Sequence, residues 1–82
     1  MAKKVPNPAI KLIEDKFKVV EVEDHGGSGG WVSLKAGVFA SYVYEHLPLT
    51  VFKHASNNYI FYFTFIDGIT FWCEIKKEVK SD

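Results

Sequence analysis

The chain has no arginine, no glutamine, a single cysteine and no long apolar run. Each absence removes a class of function. Without a guanidinium there is no planar five-donor fork, so bidentate recognition of a phosphate, a carboxylate or a guanine edge is excluded. One cysteine, Cys73, cannot close an internal disulfide, which rules out the stapled scaffolds of small secreted proteins. No apolar stretch approaches the roughly 20 residues that a membrane-spanning helix needs. The lysine-bearing start has no apolar segment ahead of a cleavage-like site, so a cytoplasmic chain without a secretory signal is expected. Net charge is absent as well: ten lysines balance ten Asp and Glu, for a formal charge of +0. No long-range field then draws the chain to nucleic acid or to an anionic membrane, and charge names no partner. Basic residues that are all lysine also fit an AT-rich coding sequence, as in low-GC bacteria and their phages. That hint of a mobile-element origin concerns genome composition and not mechanism.

What remains is short and rich in rings. Eighty-two residues make one small domain, 1–82, which withdraws only about 60% of its unfolded surface from water and leaves no room for an elaborate catalytic cleft. Apolar residues at 48% and aromatic ones at 16% are enough for a packed core and argue against disorder. Residues 1–5 read as a short, flexible basic tail. Asn7-Pro8 reads as an N-cap followed by proline in the first helical position, and Ile10, Ile13 and Phe17 recur on one side, which predicts a helix over 8–16. From residue 17 the period drops to two, and 18–23 reads as a half-polar strand. Residues 25–30, His-Gly-Gly-Ser-Gly-Gly, break it. They read as a flexible loop or an engineered linker, with residues 31–35 returning to pair with 18–23 as a first hairpin, Val32 and Leu34 on the side of Val20 and Val22.

Residues 36–47 carry both helical spacing and β-branched, aromatic content; a helix is the preferred reading, with a strand as the alternative, and Pro48 ends it. A short strand over 49–53 and a polar turn over 54–58 follow. The last third is the most legible. Two runs, 59–66 and 69–76, flank Asp67-Gly68, the pair that a two-residue type I′ turn favours, so a β-hairpin is expected with Ile66 opposite Ile69. That register puts Ile60, Tyr62, Thr64 and Ile66 on one face with Ile69, Phe71, Cys73 and Ile75. The other face receives Tyr59, Phe61, Phe63, Phe65, Thr70, Trp72, Glu74 and Lys76. The fold class is therefore α+β: about two helices on a mostly antiparallel sheet of about five strands that ends in the C-terminal hairpin.

The aliphatic face suits a core beneath the helices. Four rings on the opposite face, Phe61, Phe63, Phe65 and Trp72, framed by Tyr59, Glu74 and Lys76, have the composition of a contact surface, aromatic at the centre and charged at the rim. Several hundred square ångströms of such area match or exceed the largest apolar patch of an ordinary monomer. The competing reading seals these rings under a helix or the first hairpin as plain core. Left open, the face can take a foreign protein or a second copy, since twofold dimers are the commonest oligomers.

Residues that resemble catalytic or metal-binding motifs lack their context. Residues 26–30 match G-x-S-x-G, but a nucleophile elbow needs a helix directly after the serine, and 31–34 read as strand, so Ser28 is no nucleophile. As a phosphate loop the segment lacks a trailing Lys-Ser or Lys-Thr. His25, His46, His54 and Cys73 fall at no zinc spacing. His46, at a helix end, suits a bond to the last carbonyls, and Cys73 suits a buried hydrophobe. Glu14, Asp15, Glu21, Glu23 and Asp24 form an acidic group that is a solvated face or a docking surface for a basic partner. The expectation is a non-enzymatic protein-binding module with no cofactor and no metal, in the manner of a phage or mobile-element inhibitor or adaptor, its contact residues Tyr59, Phe61, Phe63, Phe65, Trp72, Glu74 and Lys76. The alternative is a single-stranded nucleic-acid binder that stacks bases on Tyr59, Phe61, Phe63 and Trp72 and neutralises phosphates with Lys53, Lys76 and Lys77. Zero net charge and the missing arginine make nucleic acid the weaker of the two, and no membrane is expected as a partner.

Overall fold

Asn7 starts the first helix as its chemistry requires. Its side-chain oxygen accepts from the Ala9 N–H at 3.0 Å, Pro8 occupies the first turn, and α1 runs Pro8–Lys16. The computed structural model describes residues 3–23 and 30–81. Around α1 it sets β1 (Lys3–Pro6), β2 (Lys18–Glu21), β3 (Trp31–Ser33), α2 (Ala36–Glu45), β4 (Thr50–Ala55), β5 (Tyr59–Ile66), β6 (Ile69–Lys76) and β7 (Glu78–Ser81). The result is a small α+β domain with two helices, one mostly antiparallel five-stranded sheet and a separate two-stranded sheet, counted among the described residues.

The central hairpin forms in the expected register. Asp67 and Gly68 both take positive φ, 52° and 76°, as a type I′ turn demands, and Ile66 pairs with Ile69, Tyr62 with Cys73 and Phe63 with Trp72. Residues 36–45 are helical; α2 ends where the His46 ring bonds the Tyr42 carbonyl at 2.8 Å and stacks on the Tyr42 ring. β4 extends two residues beyond the strand expected over 49–53, so the turn begins at Ser56, where the Ser56 N–H and hydroxyl both donate to the Tyr59 carbonyl.

Two expectations fail. The first hairpin does not exist: the sheet order is β2-β4-β5-β6-β3, so β2 and β3 lie on opposite edges, about 19 Å apart at four strand spacings. β2 runs parallel to β4, with Val20 beside Phe52, and β3 runs parallel to β6, with Val32 beside Phe71. Val20 therefore faces away from Val32 and Leu34. Long central strands with unpaired outer edges offered both short strands a better ladder than each other. The second concerns the tail over 1–5: Lys3–Pro6 forms β1, paired antiparallel with β7, Val5 opposite Val79 and Lys4 opposite Lys80. The loop over 25–30, with His25 and Ser28, lies outside the described residues except for Gly30, whose carbonyl accepts from the Thr70 N–H at 2.7 Å.

Both helices pack on one side of the large sheet. Ile13 of α1 and Phe39, Ala40 and Val43 of α2 join Phe17, Val51, Ile60, Tyr62, Cys73 and Ile75 in one buried cluster. Phe63 is equally buried yet lies outside that cluster, because its register places it on the other face. Gly68→Ala should destabilise the fold by about 1–2 kcal/mol in urea melts, since a Cβ there meets no neighbour within 4 Å and only the left-handed backbone opposes it. Asp67→Asn should be close to neutral, as asparagine tolerates the same conformation.

Candidate functional site

The face turned away from the helices is built by register. Three rows of paired residues cross it. Phe52, Phe63 and Trp72 align on β4, β5 and β6, with Val20 beyond Phe52 and Ser33 beyond Trp72. His54, Phe61 and Glu74 form the next row, and Phe65, Thr70 and Trp31 the row on the other side. Tyr59 and Lys76 close the end. Every residue expected on this surface from the hairpin pattern is thus on one face: Tyr59, Phe65, Glu74 and Lys76 exposed, Phe61 and Trp72 half-buried, Phe63 buried at 3% exposure. Phe52, Val20, His54 and Trp31 join them without having been anticipated. Their signal was period-two spacing within each strand, but which strand neighbours the hairpin is not a local property.

The rings hold one another. Phe63 packs against Phe52 with centroids 5.5 Å apart and meets Phe65 edge-on at 5.8 Å, while Phe52 also lies 5.7 Å from Phe65. Phe61 leans on Trp72 at 6.2 Å and on His54 at 6.3 Å. Each such pair contributes about 0.5–1.5 kcal/mol beyond the area it buries, so the patch is stiff rather than a set of loose side chains. Trp31 stands at the edge, 45% exposed, and Phe65 is 39% exposed. Between them Thr70 is fully buried, and its hydroxyl has no hydrogen-bond partner.

Polar chemistry sits on the opposite face. The Tyr62 hydroxyl donates to Glu14 Oε2 at 2.7 Å, and Lys53 Nζ lies 3.5 Å from the same oxygen. Burial, reinforced by the Glu14 carboxylate, holds the Tyr62 phenol far above its ordinary range. The trio ties α1 to β4 and β5. It also takes Lys53 away from the aromatic face, so the three lysines expected to neutralise phosphates beside the rings do not share a surface. Glu14 likewise leaves the acidic group for this contact, Asp15 pairs with Lys11 at 3.1 Å, and Asp24 lies outside the described residues.

Cys73 is fully buried, and burial pushes its thiol from 9.0 up to about 12 against the pull of a backbone hydrogen bond from Tyr62. A thiol so protonated is no nucleophile at neutral pH. Among the described residues no group of three His, Cys, Asp or Glu could hold a metal ion, and no helix is long and apolar enough to cross a membrane. No protein-family model, curated protein or solved structure matches the chain.

Thr70→Val keeps the shape of the side chain and removes a buried hydroxyl with no partner, so it should raise unfolding free energy by about 1 kcal/mol; a loss of stability would show that the hydroxyl is bonded. Cys73 sets an alkaline limit. Its folded pKa lies above the unfolded value, so its contribution is intact below about pH 9 and is lost as pH rises toward about 12. Unfolding free energy measured by urea melts should fall by up to about 1.4 kcal/mol per pH unit over that window, and Cys73→Ala should flatten the first part of the slope, below the range where Tyr62 also titrates.

Proposed function

We propose that the chain is a non-enzymatic protein-binding module, an inhibitor or adaptor that works in the cytoplasm by occupying a partner's surface with its aromatic sheet face. One observation carries this reading: seven aromatic side chains from four strands, Trp31, Phe52, Tyr59, Phe61, Phe63, Phe65 and Trp72, share the face that carries none of the helical core cluster. The helices already cover the aliphatic face, so burial within the core gives no account of why the second face is aromatic too. Aromatic anchors with a charged rim are what protein contacts favour. Prior packing of Phe52, Phe61, Phe63 and Trp72 lowers the entropy lost when a partner immobilises them. Glu74 and Lys76 on the rim supply one charge of each sign, which sets orientation more than strength.

The exposures choose the test. Phe63 is buried and Phe63→Asp should unfold the domain, whereas Phe65 and Trp31 are accessible. Immobilised protein should retain a partner from extract of its native host, and Phe65→Asp or Trp31→Asp should reduce retention at least about tenfold, the loss expected when a central aromatic anchor is removed. Val38→Asp, at an exposed position on α2 and off the aromatic face, should retain the partner, with far-UV circular dichroism the same for all variants. Equal loss with Val38→Asp, or no loss with either ring variant, would overturn the reading. Light scattering over a dilution series distinguishes a second copy from a foreign partner.

A further inference from the structure

The two edges of the large sheet are unlike. At one, β2 carries charge at both ends, Lys18 and Glu21, a common guard against pairing with another chain. At the other, β3 and the residue after it, Trp31-Val32-Ser33-Leu34, carry none. β3 gives one side of its backbone to β6: the Leu34 N–H donates to the Trp72 carbonyl at 2.8 Å, and the Gly30 carbonyl accepts from the Thr70 N–H at 2.7 Å. Residues that bond one neighbour alternate along a strand, so Gly30, Val32 and Leu34 face β6 while Trp31 and Ser33 turn their N–H and C=O groups outward. Both residues are exposed, and among the described residues neither backbone meets a further partner.

We propose that the β3 edge pairs with the β3 edge of a second copy of this chain, antiparallel about a twofold axis normal to the sheet. One register satisfies every free group. With Val32 opposite its own equivalent, Trp31 of each copy falls opposite Ser33 of the other, and each such couple exchanges both of its N–H···O=C bonds. Side chains directly opposite share a face, so the Trp31 indole, 45% exposed, covers a serine on the aromatic side, and the two β-branched Val32 side chains meet on the helix side. Lys35, the next charge along the chain, stands three residues from the axis in each copy, which sets the two Lys35 backbones about 20 Å apart. The helices do not obstruct the joint. Tyr42 of α2 stacks on Phe71 of β6, and the two β6 strands lie about 14 Å apart, wider than the spacing of about 8–10 Å at which helices pack. Pairing β3 with the β2 of a second copy would instead leave further edges open and build a fibre, whereas closure about a twofold leaves the charged β2 edge at each end of the joined sheet. Both aromatic faces then lie on one side of that sheet, open to the partner assigned to them above; the pairing does not depend on that assignment. So short an edge buries less than the roughly 1,200 Å² of a standard interface, which makes the dimer reversible and dependent on concentration.

Sedimentation velocity over a dilution series should show a shift from monomer to dimer as concentration rises. Ser33→Pro should stay monomeric throughout with unchanged far-UV circular dichroism, because proline there removes only an N–H that points away from β6. Phe65→Asp, on the aromatic face, should dimerise as the parent does, which separates this contact from the partner surface. Val32→Cys reads the register. The twofold sets this position opposite itself with Cα atoms about 4.5 Å apart, within disulfide reach, and the native thiol of Cys73 is fully buried. Copper phenanthroline in air should therefore link Val32→Cys into a covalent dimer on non-reducing gels. Ser33→Cys, with its two Cα atoms about 8 Å apart in the same register, should stay unlinked. The proposal falls if the parent is monomeric at the highest concentration reached, or if Phe65→Asp abolishes the dimer and Ser33→Pro does not. It falls equally if Ser33→Cys links and Val32→Cys does not, a result that decides the matter even where Ser33→Pro fails to fold.

Discussion

The pairing of Ile66 with Ile69 across a two-residue turn is the constraint from which the rest follows. Side chains alternate along a strand, so a slip of one residue would exchange every side chain of β5 or β6 between faces. With the turn in place, Ile60, Tyr62, Cys73 and Ile75 form the floor on which both helices pack, and Phe61, Phe63, Phe65 and Trp72 are committed to the other side. β4 adds Val51 to the floor and Phe52 to the rings through its own pairing with β5. The edge strands extend the same alternation, Val19 and Leu34 inward and Val20 and Trp31 outward.

A sheet with helices on one face alone ordinarily presents a polar second face, because water is its neighbour. Here that face carries a cluster of rings, with charge only at the rim. Lateral packing offsets part of the exposure, as the burial of Phe63 shows, while Trp31, Tyr59 and Phe65 stay open. The network of Glu14, Lys53 and Tyr62 lies instead between α1 and the floor, where one carboxylate oxygen accepts a hydrogen bond from the Tyr62 hydroxyl and faces the lysine. The two faces have therefore divided the work: polar bonds hold a helix down on one, and apolar area gathers on the other.

How much of this was readable depended on sequence distance. The hairpin over 59–76 was legible to the residue, because Asp67-Gly68 determines its own neighbours, and α1 was legible because Asn7 and Pro8 mark its start. The seven residues assigned to the contact surface all came from that hairpin, which is why they fall on one face. Phe52, Val20 and Trp31 were missed because their place depends on pairings across the sheet. The expected first hairpin failed for the same reason: residues 18–23 and 31–35 alternate correctly as strands, but alternation does not name a partner, and adjacency in sequence was mistaken for adjacency in space.

Local chemistry by itself determined the start of α1, the tight turn and the strand periods. These are interactions between groups a few residues apart, and they hold in almost any compact state of the chain. Only the tertiary structure decided which strands lie side by side, that Lys53 turns toward α1 and away from the rings, and that β1 pairs with β7. Pairing β1 with β7 joins the two ends of the chain, and no local pattern announces a contact between residues so distant in sequence.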